Sequence, residues 1–180
     1  MDIRTQLLKE HSRRNTEAIA HFVGDDEQRF ADLMKLVLAN EPRVAQRAAY
    51  AMSVACEVNP HLTTPYLKQL IDVLDQDVHD GIHRNSIRIM QFCALPKRLH
   101  GRITETMFLR IAEPRHSIAV RAFAITVAER MVKLYPELRD EFKLLLEAAL
   151  RVDPGPAIRS RATKALKALE RHQRTATPHR

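Results

Sequence analysis

Apolar residues along this chain recur at intervals of three and four, which places them on one face of a helix. One short pattern, a branched aliphatic followed four positions later by a small residue, opens four predicted helices whose aliphatics lie 38, 36 and 40 residues apart. Such a repeat predicts stacked helical pairs, because one pair cannot bury its apolar faces alone. The four copies are Val44-x-x-Arg47-Ala48, Ile82-x-x-Asn85-Ser86, Ile118-x-x-Arg121-Ala122 and Ile158-x-x-Arg161-Ala162.

A second apolar stripe precedes each copy and predicts the outer helix of each pair. Prolines between the pairs, at 60, 96 and 136, repeat at 36 and 40 residues and end helices by removing an amide donor. Gly24-Asp25-Asp26 is expected to end the first helix and cap the next. The stripes are Leu33, Leu36, Val37; Leu67, Leu70, Ile71, Leu74; Ile103, Met107, Phe108, Ile111; and Leu145, Leu146, Ala149, Leu150.

These signals predict one domain overall. Residues 1–24 are expected to form an N-terminal capping helix, a half repeat, because Arg14-Asn15-Thr16 matches Arg84-Asn85-Ser86 at an offset of 70 residues. Residues 173–180 have no large apolar side chain and are expected to form a mobile basic tail. The repeat array between them, 25–172, divides into pairs at about 25–58, 63–95, 101–134 and 138–171.

Composition supports an all-α fold. Hydrophobic residues make up 45% of the 180 positions, which excludes a disordered chain. Aromatics are 5%, without Trp, so small and aliphatic side chains must fill the core. No stretch alternates apolar and polar residues between turn signals, as strands would.

The net charge of +7 lies late in the chain and favours acidic partners. Residues 151–180 contain eight Lys or Arg against two carboxylates, which leaves +1 for the first 150 residues. A continuous basic track for nucleic acid is therefore not expected.

The N-terminus lacks the apolar core of a signal peptide, and no later run approaches the length of a membrane span. Cys56 and Cys93 are expected to be reduced, semi-buried small side chains rather than a disulfide. A cytoplasmic location without membrane contact follows as the expectation.

The fourth pair carries the clearest resemblance to a known family. Its segment 153–166 combines an acidic turn residue, a Pro before the inner helix, an aliphatic–Arg pair and a small-residue face. The first pair keeps Pro42, Val44 and Ala48. In these features the chain resembles the HEAT repeats of the armadillo-like α-solenoids over about residues 25–170, and more loosely small bacterial HEAT-like proteins. The resemblance implies a right-handed α-solenoid (α-α superhelix) of four helix pairs behind the half repeat, and no catalytic residues.

Opposite the predicted core face, each inner helix carries an "inner row" at the second, sixth and ninth positions after its aliphatic, which could line the concave binding surface. The row is apolar in the third pair and contains basic residues in the second and fourth pairs. An apolar centre with a charged rim is typical of a groove that binds a peptide or a partner helix. Alternatively that helix is rotated and buries the strip, which Thr126 and Glu129 on its nominal core face favour. The candidate partner-binding residues are Arg84, Arg88, Val120, Ala124, Val127, Met131, Lys164 and Lys167.

A ladder of polar residues recurs at equivalent positions: Asn15, Arg47, Asn85, Arg121 and Arg161. It could read the backbone of an extended ligand, or it could join neighbouring repeats. In the second interpretation, Asp77, Glu113 and Asp153 at the inter-helix turns accept bonds from the arginines and cap the inner helices.

Catalytic and metal-binding patterns are weak. His79 and His83 lie near several aspartates but straddle a turn, and no third ligand is fixed by spacing, so no metal or cofactor is predicted. No nucleophile elbow or phosphate-binding glycine loop occurs.

The sequence therefore predicts a non-enzymatic scaffold that binds a protein or peptide partner on its concave face. The alternative is nucleic-acid binding, including DNA repair, since HEAT-like DNA glycosylases exist. That alternative lacks the aromatic platforms expected for base handling, because Tyr50 is the one aromatic on the predicted row. Partner identity and oligomeric state are outside what the pattern indicates.

Overall fold

The computed structural model describes residues 1–39, 41–152 and 155–176, with side chains described to Arg171. The described residues form helices and turns without a strand, which confirms the all-α prediction. The ten α-helices are α1 Ile3–Lys9, α2 Arg13–Val23, α3 Glu27–Val37, α4 Pro42–Val58, α5 Leu67–Asp72, α6 Asp80–Ile89, α7 His100–Ala112, α8 Ile118–Leu134, α9 Arg139–Arg151 and α10 Pro156–Ala176. Short 3₁₀ helices lie at Pro60–Tyr66, Val73–Asp75, Lys97–Leu99 and Pro136–Leu138.

Local signals explain where the helices begin and end. Ser12 and Ser117 accept a backbone N–H bond from the third residue beyond them, at the starts of α2 and α8. Gly24, at φ 52°, ends α2, and Asp26 caps α3 by accepting from the Arg29 amide, as the sequence predicts. α10 begins at Pro156, where the missing amide removes no helical bond.

The repeated aliphatic residues lie in the first turn of four helices. Val44, Ile82, Ile118 and Ile158 fall in α4, α6, α8 and α10, and each of these helices follows a predicted outer helix. Three of the four are buried, whereas Ile118 is 52% exposed. The helix positions therefore agree with the repeat pattern, while the handedness and the number of repeat units stay predictions.

The first compact unit, Met1–Leu99, contains α1 to α6. Inside it, α4 packs against α2 and α6, and α3 packs against α4. Its core is mainly aliphatic, with Phe30 as a large buried aromatic that contacts Tyr66.

The second compact unit, His100–Arg180, contains α7 to α10. Within it α8 packs against α7 and α10, and α9 packs against α10. Phe108 and Phe142 stack in its core with ring centroids 5.9 Å apart. The sequence predicts one domain overall, whereas the packing divides the chain into these two units.

The N-terminal segment contains two helices where the sequence predicts one capping helix. α1 ends at Lys9, and Ser12 begins α2. The break is stabilised by Asn15, whose side-chain amide donates to the carbonyls of Gln6 and Glu10. Asn15, a polar residue inside the single helix that the sequence predicts, therefore stabilises the point at which that helix is interrupted.

At the C-terminus α10 continues to Ala176, so a helix enters the segment predicted as a tail, 173–180. The rest of that segment, 177–180, lies outside the described residues. Within the described ranges, none of the helices combines the length and apolar content needed to span a bilayer.

Candidate functional site

A shallow groove of about 650 Å³ runs along one side of α10. Glu129 of α8 borders it, and the described lining residues all belong to the second unit. Its lining is mostly basic and small polar side chains: Pro156, Arg159, Ser160, Thr163, Lys164, Lys167, Ala168 and Arg171. Lys164 and Lys167, two of the predicted site residues, are among its lining residues.

The two faces of α10 explain why the groove is basic. Ile158, Ala162 and Ala165 are buried, at intervals of four and three residues, and orient the helix. Lys164 and Lys167, on the inner row, are exposed and line the groove, so the structure brings these two predicted residues together.

The carboxylate at the border of the groove is already paired. A Glu129 oxygen lies 2.9 Å from the Lys133 ammonium one turn along α8, and the Glu129 side chain is 19% exposed. This ion pair partly offsets the charge of the Glu129 carboxylate.

The predicted apolar strip of the third pair is buried. Val120, Ala124 and Val127 are 0% exposed and Met131 is 1% exposed, so the prediction that these four residues meet a partner is wrong. The structure agrees with the alternative of a rotated, packed helix, because Ile118 is exposed and Thr126 and Glu129 reach the surface. The physical reason is that α7 and α10 both pack against α8.

The basic residues predicted in the second pair differ from each other. Arg84 is exposed on α6. Arg88 is half-buried. One of its amino groups donates to the Ser53 hydroxyl at 2.9 Å, and the other pairs with the Glu57 carboxylate. Arg88 therefore joins α6 to α4, and a partner would have to compete with those bonds.

Two members of the predicted ladder hold the C-terminal end of α1. The side-chain amide of Asn15 donates to the Gln6 and Glu10 carbonyls, and its oxygen accepts from the side-chain amide of Gln6. A terminal nitrogen of Arg47 donates to the Leu7 carbonyl at 2.6 Å. These bonds satisfy carbonyls that have no helical partner.

The other three ladder residues also bond within the protein. Asn85 donates to the Gly81 carbonyl one turn back. Arg121 donates twice to the Ile111 carbonyl, at 3.2 and 3.1 Å. Arg161 donates to the Thr126 hydroxyl at 2.5 Å and lies 4.9 Å above the Phe123 ring, so it joins α10 to α8.

Glu113, one of the predicted acceptors, bonds to residues outside the ladder. It accepts from Arg115 at 2.8 Å and lies 3.0 Å from the His116 ring. Asp153 lies outside the described residues. The prediction that turn carboxylates bind the ladder is therefore wrong at Glu113, where backbone carbonyls at helix ends take that place.

The histidine pair makes local bonds. Nδ1 of His79 accepts from the Gly81 amide at the start of α6, and Nε2 of His83 lies 3.2 Å from the Val73 carbonyl and 3.1 Å from that of Gln76. Among the described residues, no group of three or more His, Cys, Asp or Glu side chains is placed to hold a metal ion.

Cys56 and Cys93, which the sequence predicts to be semi-buried, are both buried, and no disulfide joins them. Burial raises the pKa of the Cys56 thiol to about 12. That thiol is consequently protonated at neutral pH and is a poor nucleophile.

A family model for the HEAT repeat domain matches residues 3–169 of this chain. The chain belongs to the HEAT repeat family. No curated protein matches it, and no solved structure matches it. HEAT repeats generally mediate protein–protein interaction or scaffolding.

Sequence reasoning missed several residues that line the groove of this HEAT chain. Arg159 and Thr163 lie on the same side of α10 as Lys164 and Lys167. A helical spacing of four from Lys167 could have found Thr163. Glu129 lies on α8, and no residue spacing along the sequence indicates that it borders this groove.

Proposed function

We propose that this chain is a non-enzymatic interaction module whose second unit receives a segment of a partner protein in the α10 groove. The observation that carries the proposal is the exposure of Lys164 and Lys167 together in a groove, on the inner row. Family membership supports it, since HEAT repeats generally bind proteins.

Burial of the apolar strip changes the expected character of the interface. Val127 and its neighbours on the row contribute to the core, so the partner meets charged and small polar side chains instead. The aliphatic stems of the lysines, with Pro156 and Ala168, supply the apolar contact. Arg84, exposed on the first unit, remains a predicted contact residue.

Charge reversal in the groove tests the proposal. In Lys164→Glu/Lys167→Glu, the recovery of specific partner proteins from source cells should fall about tenfold, because both charges change sign at the contact. The matched control is Lys97→Glu/Arg98→Glu, two exposed basic residues outside the groove with the same change in net charge. The measurement is quantitative affinity capture with tagged full-length chain, combined with a photo-crosslinking residue at Thr163.

Equal losses in the two variants would show that net charge, rather than the groove, controls capture. Retention of all crosslinked partners by the groove variant would contradict the proposal directly. Circular dichroism and thermal melting of each variant check that the fold is intact.

Nucleic-acid binding is the second candidate, because the basic residues cluster on α10. Phosphate-dominated binding weakens steeply as salt rises. A gel shift with duplex and single-stranded DNA, run from about 50 to about 200 mM salt, tests it. Absence of a shift at the lowest salt would remove this class.

A further inference from the structure

The break between α1 and α2 interrupts a stretch that could form one continuous helix. From Ile3 to Val23 the chain contains neither Gly nor Pro, the two residues that most strongly disfavour a helix interior. The chain nevertheless turns at residues 10–12, where Glu10 and Ser12 have extended backbone angles. We propose that residues 10–12 are a hinge at which α1 exchanges between two copies of this chain, so that residues 3–23 form one helix and each α1 packs on the other copy. The exchange concerns the first unit and is independent of the α10 groove.

Side-chain bonds from two residues hold the hinge in its bent form. The Ser12 hydroxyl caps α2 by accepting from the Asn15 backbone amide at 3.0 Å. The Asn15 side chain in turn donates to the carbonyls of Gln6 and Glu10, at 2.8 and 3.0 Å. In a continuous helix each of those carbonyls would accept from the backbone amide four residues later. Straightening the hinge therefore replaces side-chain bonds by helical backbone bonds.

α1 is a short amphipathic helix that packs on the other helices of its unit. Ile3 and Leu7, one turn apart, are both buried. α1 packs against α2, α3 and α4, and a terminal nitrogen of Arg47 on α4 donates to the Leu7 carbonyl. These contacts all join α1 to residues beyond the hinge. The α1 of a second copy can therefore make the same contacts, which is the condition for exchange of an element between two chains.

Helix geometry explains why the straight form needs a second copy. At 100° per residue, Leu7 and Val23 would point about 160° apart on one continuous helix. Val23 is buried in the core of its own unit, so Leu7 would point away from that core. Ile3, one turn before Leu7, would lie on the same outward face. The bent hinge turns this apolar face onto its own unit, whereas in the straight form only another chain can bury it.

A proline at the start of α2 separates the bent form from the straight form. Arg13→Pro preserves the bent hinge, because residue 13 is the first residue of α2 and Ser12 already has the extended angles, φ −128° and ψ 157°, that a residue before proline prefers. One continuous helix is instead broken, since proline removes an amide donor from its interior. Arg13→Ala is the matched control, because both variants lose the same exposed ion pair with Glu17.

Ser12→Ala/Asn15→Ala has the opposite effect. It removes the cap and the side-chain bonds of the bent form and places two strong helix formers beside the hinge. Size-exclusion chromatography with light scattering, over a range of concentrations of the full chain, measures the dimerisation constant. We expect dimerisation about tenfold tighter than in the parent chain. Arg13→Pro, alone or added to the double variant, should weaken it at least about a hundredfold, and Arg13→Ala should stay within about twofold of the parent chain.

Isotope-resolved crosslinking shows whether α1 is the exchanged element. A photo-crosslinking residue replaces Leu8, which is exposed on α1, and isotope-labelled and unlabelled chains are mixed before the dimer forms. In the dimer fraction, crosslinks should join α1 of one isotope to α4 of the other. In the monomer fraction, they should join α1 and α4 of the same chain.

Three results would overturn the inference: a double variant that stays monomeric at its highest soluble concentration, a dimer that Arg13→Pro leaves unchanged, or a dimer whose α1–α4 crosslinks all lie within one chain. If the double variant loses its helical circular dichroism, Ser12→Ala alone takes its place, because it keeps the Asn15 side chain. A dimerisation constant in that variant equal to the parent's would likewise overturn the inference.

Discussion

At the scale of single residues, several polar side chains of this chain satisfy carbonyl groups at the ends of helices. Asn15 and Arg47 bond to the end of α1, and Arg121 bonds to the Ile111 carbonyl at the end of α7. The last four carbonyls of a helix lack helical partners, and a cation there also interacts favourably with the helix dipole. A ladder residue engaged in this way would have to release a helix end before it could bind a ligand.

Arg121 tests this role. It is 6% exposed, and Arg121→Met keeps much of the aliphatic volume while removing both bonds to Ile111. We expect the free energy of unfolding to fall by about 1.5–3 kcal/mol, the range for hydrogen bonds of charged groups. Urea denaturation measures it, with Arg98→Met at an exposed position as the control, where the change should stay within about 0.5 kcal/mol. Equal losses in the two variants would refute a specific role.

His116 lies between a buried cation and a carboxylate. A terminal nitrogen of Arg110 lies 3.0 Å from Nε2 of His116, and an oxygen of Glu113 lies 3.0 Å from the same atom. Arg110 can donate a hydrogen bond to Nε2 only when that nitrogen carries no proton. The Glu113 carboxylate, in contrast, can accept a hydrogen bond from Nε2 only when that nitrogen is protonated. Burial, followed by the charge of Arg110, lowers the pKa of His116 below its ordinary value of 6.5.

The lowered pKa of His116 predicts a loss of stability at mildly acidic pH. The folded state binds this proton less readily than the unfolded state, so the contribution of His116 is greatest above pH 6.5 and declines as the pH falls through that value. The urea midpoint should therefore be lower at about pH 5.5 than at about pH 7.5, and His116→Gln should reduce that difference. An unchanged pH dependence in His116→Gln would assign it to other groups.

At the scale of elements, α8 is the helix whose orientation the pattern left open. Buried residues occur on both its nominal core face and its inner row, among them Ile125 and Val127. A helix that is apolar nearly all round is buried by its neighbours rather than oriented by its own sequence. The helix positions could be predicted because periodicity and caps are local, but the burial of this strip depends on the packing of α7 and α10 against it.

Val127→Asp tests the packing of α8. An unpaired charge at this 0% exposed position should lower the free energy of unfolding by at least about 3 kcal/mol. Leu134→Asp, at a 58% exposed position of the same helix, should change it by less than about 1 kcal/mol. Thermal and urea unfolding compare the two variants, and normal stability of Val127→Asp would show that the strip is accessible.

At the scale of the whole molecule, the excess of positive charge lies mostly in the C-terminal part of the chain. The chain carries +7, of which +6 falls in residues 151–180, and the exposed basic residues of α10 line the groove of the second unit. In the first unit Arg88 is instead engaged by Ser53 and Glu57. The basic residues that the sequence concentrates late in the chain thus contribute to one surface of α10.

The sequence by itself determined the helical class, the family and the positions of the repeated helices. These follow from local causes: the period of three and four residues, N-cap side chains, and glycine or proline at the ends. The tertiary structure decided which residues face solvent, because exposure depends on neighbouring helices that are distant in sequence. Val127 is buried and Lys164 lines a groove, although both occupy the same row of the repeat, since α8 has helices on two sides and this side of α10 is open.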